Sequence, residues 1–195
     1  MREFVVVGHE APTTPEFPLD DLPGVGRMDL LARCVTASML LSHGIRPAVR
    51  THLVLGDEFT VSFDSRDLQG LNPDERSTAA RIRAALAERE EAIGHQPVEV
   101  SPGVSLRRCG FAATLEARAG EGTVVALSPD GDPAREQTPP PSPVFVLSDH
   151  RSFTESDRAT VGLYQSRRVS LGPEALHADH AIVVAHNWLD TAAGT

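Results

Sequence analysis

Short apolar runs of strand length alternate with segments of helical spacing along the whole chain, and that alternation predicts an α/β fold with a largely parallel sheet. Two further observations support it. The 195 residues, 41% apolar and 23% charged, suit one core of ordinary size. The first run, Phe4-Val5-Val6-Val7, is short, apolar and without helical spacing, as expected of a buried strand.

A proline-rich loop follows that strand. Beyond Gly24 and Gly26, residues 28–42 place Leu31, Cys34, Val35 and Leu41 at helical spacings, with His43-Gly44 as the stop. Residues 51–55 and 59–63, separated by Gly56-Asp57-Glu58, predict a hairpin. Asn72-Pro73-Asp74-Glu75 predicts a helix start, with Asn72 as N-cap, Pro73 at the first helical position and acids facing the positive end of the dipole. That helix is expected to reach Ile93 and stop at Gly94, with Ile82, Leu86 and Ile93 as a narrow apolar stripe. Residues 123–127 and 144–147 predict two strands. The six prolines from Pro129 to Pro143 predict a surface loop over about residues 128–143, with Asp130-Gly131-Asp132 as a turn. Residues 155–166 read as a helix and residues 168–171 as a strand. Residues 181–185 favour a strand by composition, whereas Leu176 and Val183, seven residues apart, fit one helical face; both readings stand.

Charge narrows the function classes. All 18 cationic side chains are arginine, lysine is absent, and 27 Asp and Glu bring the net charge to −9. Surplus carboxylates keep a surface hydrated at high salt, so this balance points to a salt-adapted, GC-rich source. It argues against nonspecific nucleic-acid binding, which needs cations to displace counterions, but leaves room for a local basic site. Residues 1–50 carry 5 Arg against 6 acids, and residues 51–100 carry 5 against 10, so the N-terminal quarter is the less acidic. No apolar stretch reaches the roughly 18 residues of a membrane span, and the first apolar run is too short for a signal peptide, so a soluble intracellular protein is expected. Cys34 and Cys109 are too few for a disulfide framework and read as reduced thiols.

The chain has no glycine-rich phosphate loop, nucleophile elbow or paired CxxC. His177, His180 and His186 cluster without a metal-ligand spacing, and capping or polar packing is the better reading; no metal is expected. Two segments differ from the rest. Val146-Leu147-Ser148-Asp149-His150 and Val169-Ser170-Leu171-Gly172-Pro173-Glu174-Ala175-Leu176 each end a strand in small residues that leave room for a ligand against bare backbone, although ordinary strand-to-helix turns read the same way.

These segments, with the opening REFVVVGHEAPTTPEFPLDDLPG, then GRMDLLARCV, HLVL, LNPDERS and the closing SLGPEALHADHAIVVAHNWLD, resemble the archaeal tRNA pseudouridine N1-methyltransferases of the TrmY type, in the SPOUT superfamily. The resemblance covers essentially the whole chain. It implies a single SPOUT methyltransferase domain over residues 1–195, a mostly parallel sheet with helices on both faces, and a deep trefoil knot, with the knot and cofactor region over about 144–192. It also implies S-adenosylmethionine (SAM) as donor, N1 of pseudouridine at position 54 in the tRNA T-loop as acceptor, a homodimer with active sites at the interface, and a cytoplasmic location.

Carried over by position, the cofactor pocket would include Leu127, Ser148, Leu171, Gly172, Pro173, Glu174, Ala175, Leu176 and Ala181. The family usually has Gly where Ser148 stands and often Cys where Ala181 stands, so backbone contacts matter more there than side chains. Arg27-Met28-Asp29 resembles the Arg-x-Asp element of the related ribosomal pseudouridine N1-methyltransferases. It implies Asp29 as a base or orienting group for N1–H, with Arg27 beside it in the catalytic element and Arg27 and Arg33 as RNA contacts. Asp29 as a cap of the first helix and Arg33 as a surface pair remain the structural alternative. A SPOUT enzyme for another RNA nucleotide, such as a ribose 2′-hydroxyl, or a non-catalytic SAM- or RNA-binding protein of the same fold are the alternative functions.

Overall fold

The computed structural model describes residues 1–192. Its elements are, in order, β1 (Arg2–Gly8), α1 (Met28–Met39), β2 (Leu40–Leu41), β3 (Gly44–Ile45), β4 (Val49–Leu55), β5 (Phe59–Asp64), α2 (Glu75–Ala87), β6 (Val98–Ser101), β7 (Val104–Arg107), α3 (Phe111–Ala119), β8 (Thr123–Pro133), β9 (Pro143–Ser148), α4 (Glu155–Tyr164), β10 (Arg167–Ser170) and α5 (Ala178–Ala192). The main sheet is eight-stranded, in the order β10-β8-β9-β1-β4-β5-β7-β6. From β10 to β4 every pairing is parallel; β5, β7 and β6 extend the sheet antiparallel.

β1 is continuous in hydrophobicity because it is central and covered on both sides. Phe4 and Val6 belong to a core with Leu31 and Cys34 of α1, Ile82 and Leu86 of α2, and Ile182 and Ala185 of α5. Val5 and Val7 face the opposite core, with Phe111 and Leu115 of α3 and Val161 of α4. Helices therefore cover both faces. Phe4 stacks on Phe145 with ring centroids 5.3 Å apart, and Trp188 of α5 meets Phe145 edge-on at 6.3 Å. This placement fixes where a site can form. The chain leaves β1 for α1 on one face and leaves the neighbouring β9 for α4 on the other, which opens a crevice at the carboxyl ends of the strands.

Several elements differ from the sequence expectation. α1 ends at Met39, and residues 40–45 turn back as the β2–β3 hairpin rather than continuing the helix to Ser42. α2 starts two residues later than expected: Asp74 is the N-cap, accepting from Ser77 N at 2.7 Å, and Pro73 lies before it. It also ends at Ala87. The Arg108 guanidinium donates to the carbonyls of Arg89 and Ala92, closing the following turns, and Ile93 is 78% exposed rather than on the apolar stripe.

The expected loop over 128–143 begins as strand. β8 runs on to Pro133 through a bulge against β10, so Asp130-Gly131-Asp132 is extended, not a turn, and a Cβ on Gly131 would lie 2.6 Å from the Val169 backbone. β6, β7 and α3 carry no counterpart in the sequence reading. α4 stops at Tyr164, and β10 is shifted one residue towards the N-terminus. Residues 181–185 are helical, as one of the two readings had it. The buried face is Ala181, Ile182, Ala185, Trp188 and Leu189, while Val183 points out and Leu176 precedes the helix.

Candidate functional site

At the carboxyl ends of β9 and β10 lies a crevice of about 550 Å³, the size of pockets that enclose small organic ligands. Its walls come from β8, the end of β9, the loop 149–153, the turn 171–177 and the start of α5. Leu127, Ser148, Leu171, Gly172, Glu174, Ala175, Leu176 and Ala181 all line it; Pro173 lies in the same turn but outside the lining. Two segments some 20 residues apart in sequence thus share one cavity.

The details favour recognition by backbone and shape. A Cβ built on Gly172 meets no atom within 4 Å, so the bare backbone borders open space. Ser170 Oγ donates to Gly172 O at 2.9 Å and fixes that turn. The Ser148 hydroxyl donates to the Arg151 carbonyl within its own loop, so Ser148 offers main-chain groups to the crevice. Leu127, Leu171, Leu176 and Ala181 supply apolar wall, and this mixture fits a purine nucleoside with a polar tail such as SAM. Sequence reading missed Arg151, Phe153, Arg158 and His177 in the lining. Asp149 and His150 stood in a quoted motif without a role.

Arg27, Asp29 and Arg33 form a second cluster at the start of α1, outside the crevice lining. Arg27 is the N-cap with φ 56°, a left-handed conformation uncommon for a side chain of this size. Its fork grips Asp29 through Nε (2.9 Å) and Nη2 (3.0 Å). Arg33 Nη1 donates to Asp29 (3.0 Å) and Glu75 (2.9 Å), and Nε donates to Asp179 (2.9 Å), joining α1, α2 and α5. Burial would raise the Asp29 pKa, but the hydrogen bonds from Arg27 and Arg33 outweigh it and hold the carboxyl at about 2. The N-cap of α1 is Arg27 rather than Asp29, which lies in the first turn and is the hub of an ion-pair cluster. Asp179, in the first turn of α5 between Ala178 and Ala181 of the crevice, has one carboxylate oxygen, Oδ1, buried without a hydrogen-bond partner. Such an oxygen next to the crevice is a candidate acceptor that no local motif signalled.

Of the three C-terminal histidines only His186 is packed inside the fold; His177 and His180 are exposed. His186 is buried, donating from Nε2 to Ser38 O (3.1 Å) and accepting at Nδ1 from Arg2 (3.1 Å); burial and the charges of Arg46 and Arg2 push its pKa down to about 4. His177 and His180 meet edge-on at 6.1 Å. Among the described residues no group of three His, Cys, Asp or Glu side chains could hold a metal ion, and no helix is long and apolar enough to cross a membrane. Cys34 and Cys109 are free and buried, and burial raises the Cys34 pKa far above the usual thiol range.

Comparison with known proteins gives this geometry its context. A family described as "Putative SAM-dependent RNA methyltransferase" matches residues 1–193. A tRNA (pseudouridine(54)-N(1))-methyltransferase of Haloarcula marismortui is 64% identical over 193 residues, covering 98% of each chain. Proteins of the same name from Haloferax volcanii and Methanocella arvoryzae are 60% and 42% identical, covering 98% and 96% of this chain and 98% and 97% of their own. The crystal structure of Archaeoglobus fulgidus Nep1 bound to S-adenosylhomocysteine shares the fold, with a TM-score of 0.67 over 99% of each chain at 12% identity.

Proposed function

The chain belongs to the family of SAM-dependent RNA methyltransferases that includes the archaeal tRNA (pseudouridine(54)-N(1))-methyltransferases, and from that premise we propose that it methylates N1 of pseudouridine 54 in the tRNA T-loop. The observation that carries the reading to individual residues is the single crevice formed by the Leu147–His150 and Leu171–Leu176 segments at the parallel strand ends. Residues Leu127, Ser148, Leu171, Gly172, Glu174, Ala175, Leu176 and Ala181 would hold SAM, with Pro173 shaping the turn. When bound, SAM supplies an electrophilic methyl group on sulfur.

The chain's own work is orientation. In the overall change an N1–H bond of the target base is exchanged for N1–CH3, and the proton must leave. Asp29, whose pKa burial would raise but the hydrogen bonds from Arg27 and Arg33 hold at about 2, is ionised at any working pH and is a weak proton acceptor. It suits accepting a hydrogen bond from N1–H and aligning the nitrogen, while the proton passes to water. Arg27, with about a third of its side chain exposed, can turn its guanidinium face to the RNA while its fork holds Asp29. Arg33 serves the site by fixing Asp29 and Asp179 rather than by meeting RNA, because three carboxylates already engage its fork. Arg151 and Arg158, on the crevice wall, give an acidic chain local cations for the tRNA backbone.

The finer features belong to the same proposal: one SPOUT domain, a trefoil knot within about residues 144–192, and a homodimer acting in the cytoplasm, where tRNA is. Support for the dimer comes from the crevice lip, where Glu174, Ala175 and Leu176 are exposed, and from exposed Leu163 and Val183 on α4 and α5. The test is incubation of the purified protein and SAM with tRNA carrying pseudouridine or uridine at position 54, followed by mass spectrometry of the nucleosides. N1-methylpseudouridine from the first substrate alone is expected. A ribose-methylated product, or none, overturns the proposal.

A further inference from the structure

We propose that His9 is a positioning residue of the methyl-transfer site, bolting the β9–α4 loop, one wall of the crevice, to the end of β1. The proposal rests on reading that crevice as the SAM site.

His9 is the first residue beyond β1, the strand next to β9, so it stands where the chain departs to opposite faces of the sheet. Three bonds leave it. Its backbone N–H donates to Asp149 Oδ2 at 2.8 Å, ring Nδ1 lies 3.1 Å from Asp149 Oδ1, and ring Nε2 lies 2.9 Å from Asp157 Oδ2. Asp149 is fixed by its own N–H to Val7 O (2.9 Å) and accepts from Arg151 N (2.8 Å). Asp157 belongs to the capping box of α4, accepting from Thr154 N and Oγ1, both at 2.7 Å. Between the two aspartates run the crevice residues His150 to Phe153, and Arg158 follows directly. One ring therefore ties both ends of that wall to the sheet.

The bridge also specifies a proton. Ionised carboxylates only accept, so two of them on the two ring nitrogens require both nitrogens to donate, which only the imidazolium can do. Loss of one proton would set a nitrogen lone pair against a carboxylate and release one end of the wall. Burial would lower the His9 pKa, but the bonds to Asp157 and Asp149 outweigh it and raise the value. The surrounding charges are Asp149, His150 and Arg151 from the loop, Asp157 from α4, and Glu10 from the segment after β1, which pairs with Arg151 and lies 3.8 Å from His150. Arg27, ahead of α1, also feels the Asp149 charge. A group with a raised pKa does its work below that value and loses it as pH rises through it.

The experiment is calorimetric titration of the full-length protein with SAM from pH 6 to 9.5, in the wild type, His9→Gln, Asp157→Asn and His150→Asn. Wild-type affinity should fall about tenfold as pH rises through the raised His9 pKa, the loss expected from one charge-assisted hydrogen bond. His9→Gln should bind about tenfold more weakly at pH 6 and show no fall with pH. Asp157→Asn should move the fall to lower pH, and His150→Asn should keep it. At saturating SAM, single-turnover methylation by His9→Gln should match the wild type, placing the defect in KM for SAM rather than kcat. A pH-independent wild-type affinity, or a fall that persists in His9→Gln, overturns this inference alone. Failure of the wild type to bind SAM at any pH overturns the crevice assignment and this inference with it.

Discussion

The crevice and the cluster at the head of α1 are neighbours built on opposite principles. The crevice offers bare backbone and apolar wall, with Arg151 and Arg158 on one side: Gly172 borders open space, the Ser148 hydroxyl turns back onto the Arg151 carbonyl, and Leu127, Leu171 and Leu176 contribute shape. The cluster is made of charge, with Arg27 and Arg33 engaging Asp29 and Arg33 also reaching Glu75 and Asp179. A site read by backbone tolerates exchange of small side chains and fails when volume is added. A site read by charge tolerates no exchange of its hub, because removing one partner leaves another buried and unpaired.

The sharpest test adds volume to the first region. Gly172→Val places a branched side chain in open space, so the protein should fold with an unchanged melting temperature while SAM affinity drops more than about 100-fold in calorimetry, a loss of roughly 3 kcal/mol. Unchanged affinity would remove the 171–176 turn from the pocket.

Next in size is the hub of the second region. Asp29→Asn should keep SAM affinity and cut single-turnover methylation by about 100-fold, the low end for a positioned acid–base group because the carboxyl orients rather than accepts the proton. Since its folded pKa of about 2 lies below the usual 3.8, the cluster's contribution to stability should be present above about pH 4 and lost as pH falls towards 2, seen as an acid shift of the wild-type unfolding curve that Asp29→Asn lacks. If Asp29→Asn stays active and Asp179→Asn does not, the contact with N1–H belongs to the unpartnered oxygen of Asp179.

Arg33→Ala separates structure from recognition. Breaking its links to α2 and α5 should destabilise the fold by about 2–3 kcal/mol in urea titration. Affinity for tRNA, measured where the variant is folded, should change less than threefold, as expected of a rim or structural charge. A tRNA defect larger than the stability defect would return Arg33 to the RNA interface. The smallest effect is expected at Ser148→Gly, which removes a hydroxyl already used within its loop; SAM affinity should stay within about twofold, the scatter expected of surface exchanges.

The two regions were unequally legible. The strand ends at Ser148 and at Leu171 to Leu176 read locally as ligand space and as ordinary turns alike, and the family resemblance picked out these residues; the structure brings both segments to one cavity. The Asp29 hub could not be weighed in the same way. Its low pKa comes from Arg27 and Arg33, close by in sequence, but the reach of the hub does not: Arg33 also engages Glu75 and Asp179, and Asp179 is 150 residues from Asp29 in sequence. The elements missed, β6, β7 and α3, are short. Val98-x-Val100 and Val104-x-Leu106 alternate on either side of Gly103, whose φ of 74° makes the turn, and Phe111 and Leu115 sit one helical turn apart. α3 has no cap of its own; Asp57, at the β4–β5 turn, supplies it by accepting from Phe111 N at 2.7 Å.

By itself the sequence determined the alternation of strands and helices, the burial of β1 and the absence of common phosphate and nucleophile motifs, and it marked two strand ends in small residues, at Ser148 and Gly172, as places with room for a ligand. Each is carried by hydrophobic period or by residue size, which act over a few positions. Only the tertiary structure decided that Asp130-Gly131-Asp132 is strand, since pairing with β10 satisfies a backbone that local composition would turn. It alone decided that residues 181–185 are helical, because their Ala and Ile faces pack on the sheet below Phe4 and Phe145. It alone joined His9 to Asp149 and Asp157, about 140 residues away, because an imidazole bridging two carboxylates through its two ring nitrogens has no local signature and exists only where the fold brings the three side chains within hydrogen-bond reach.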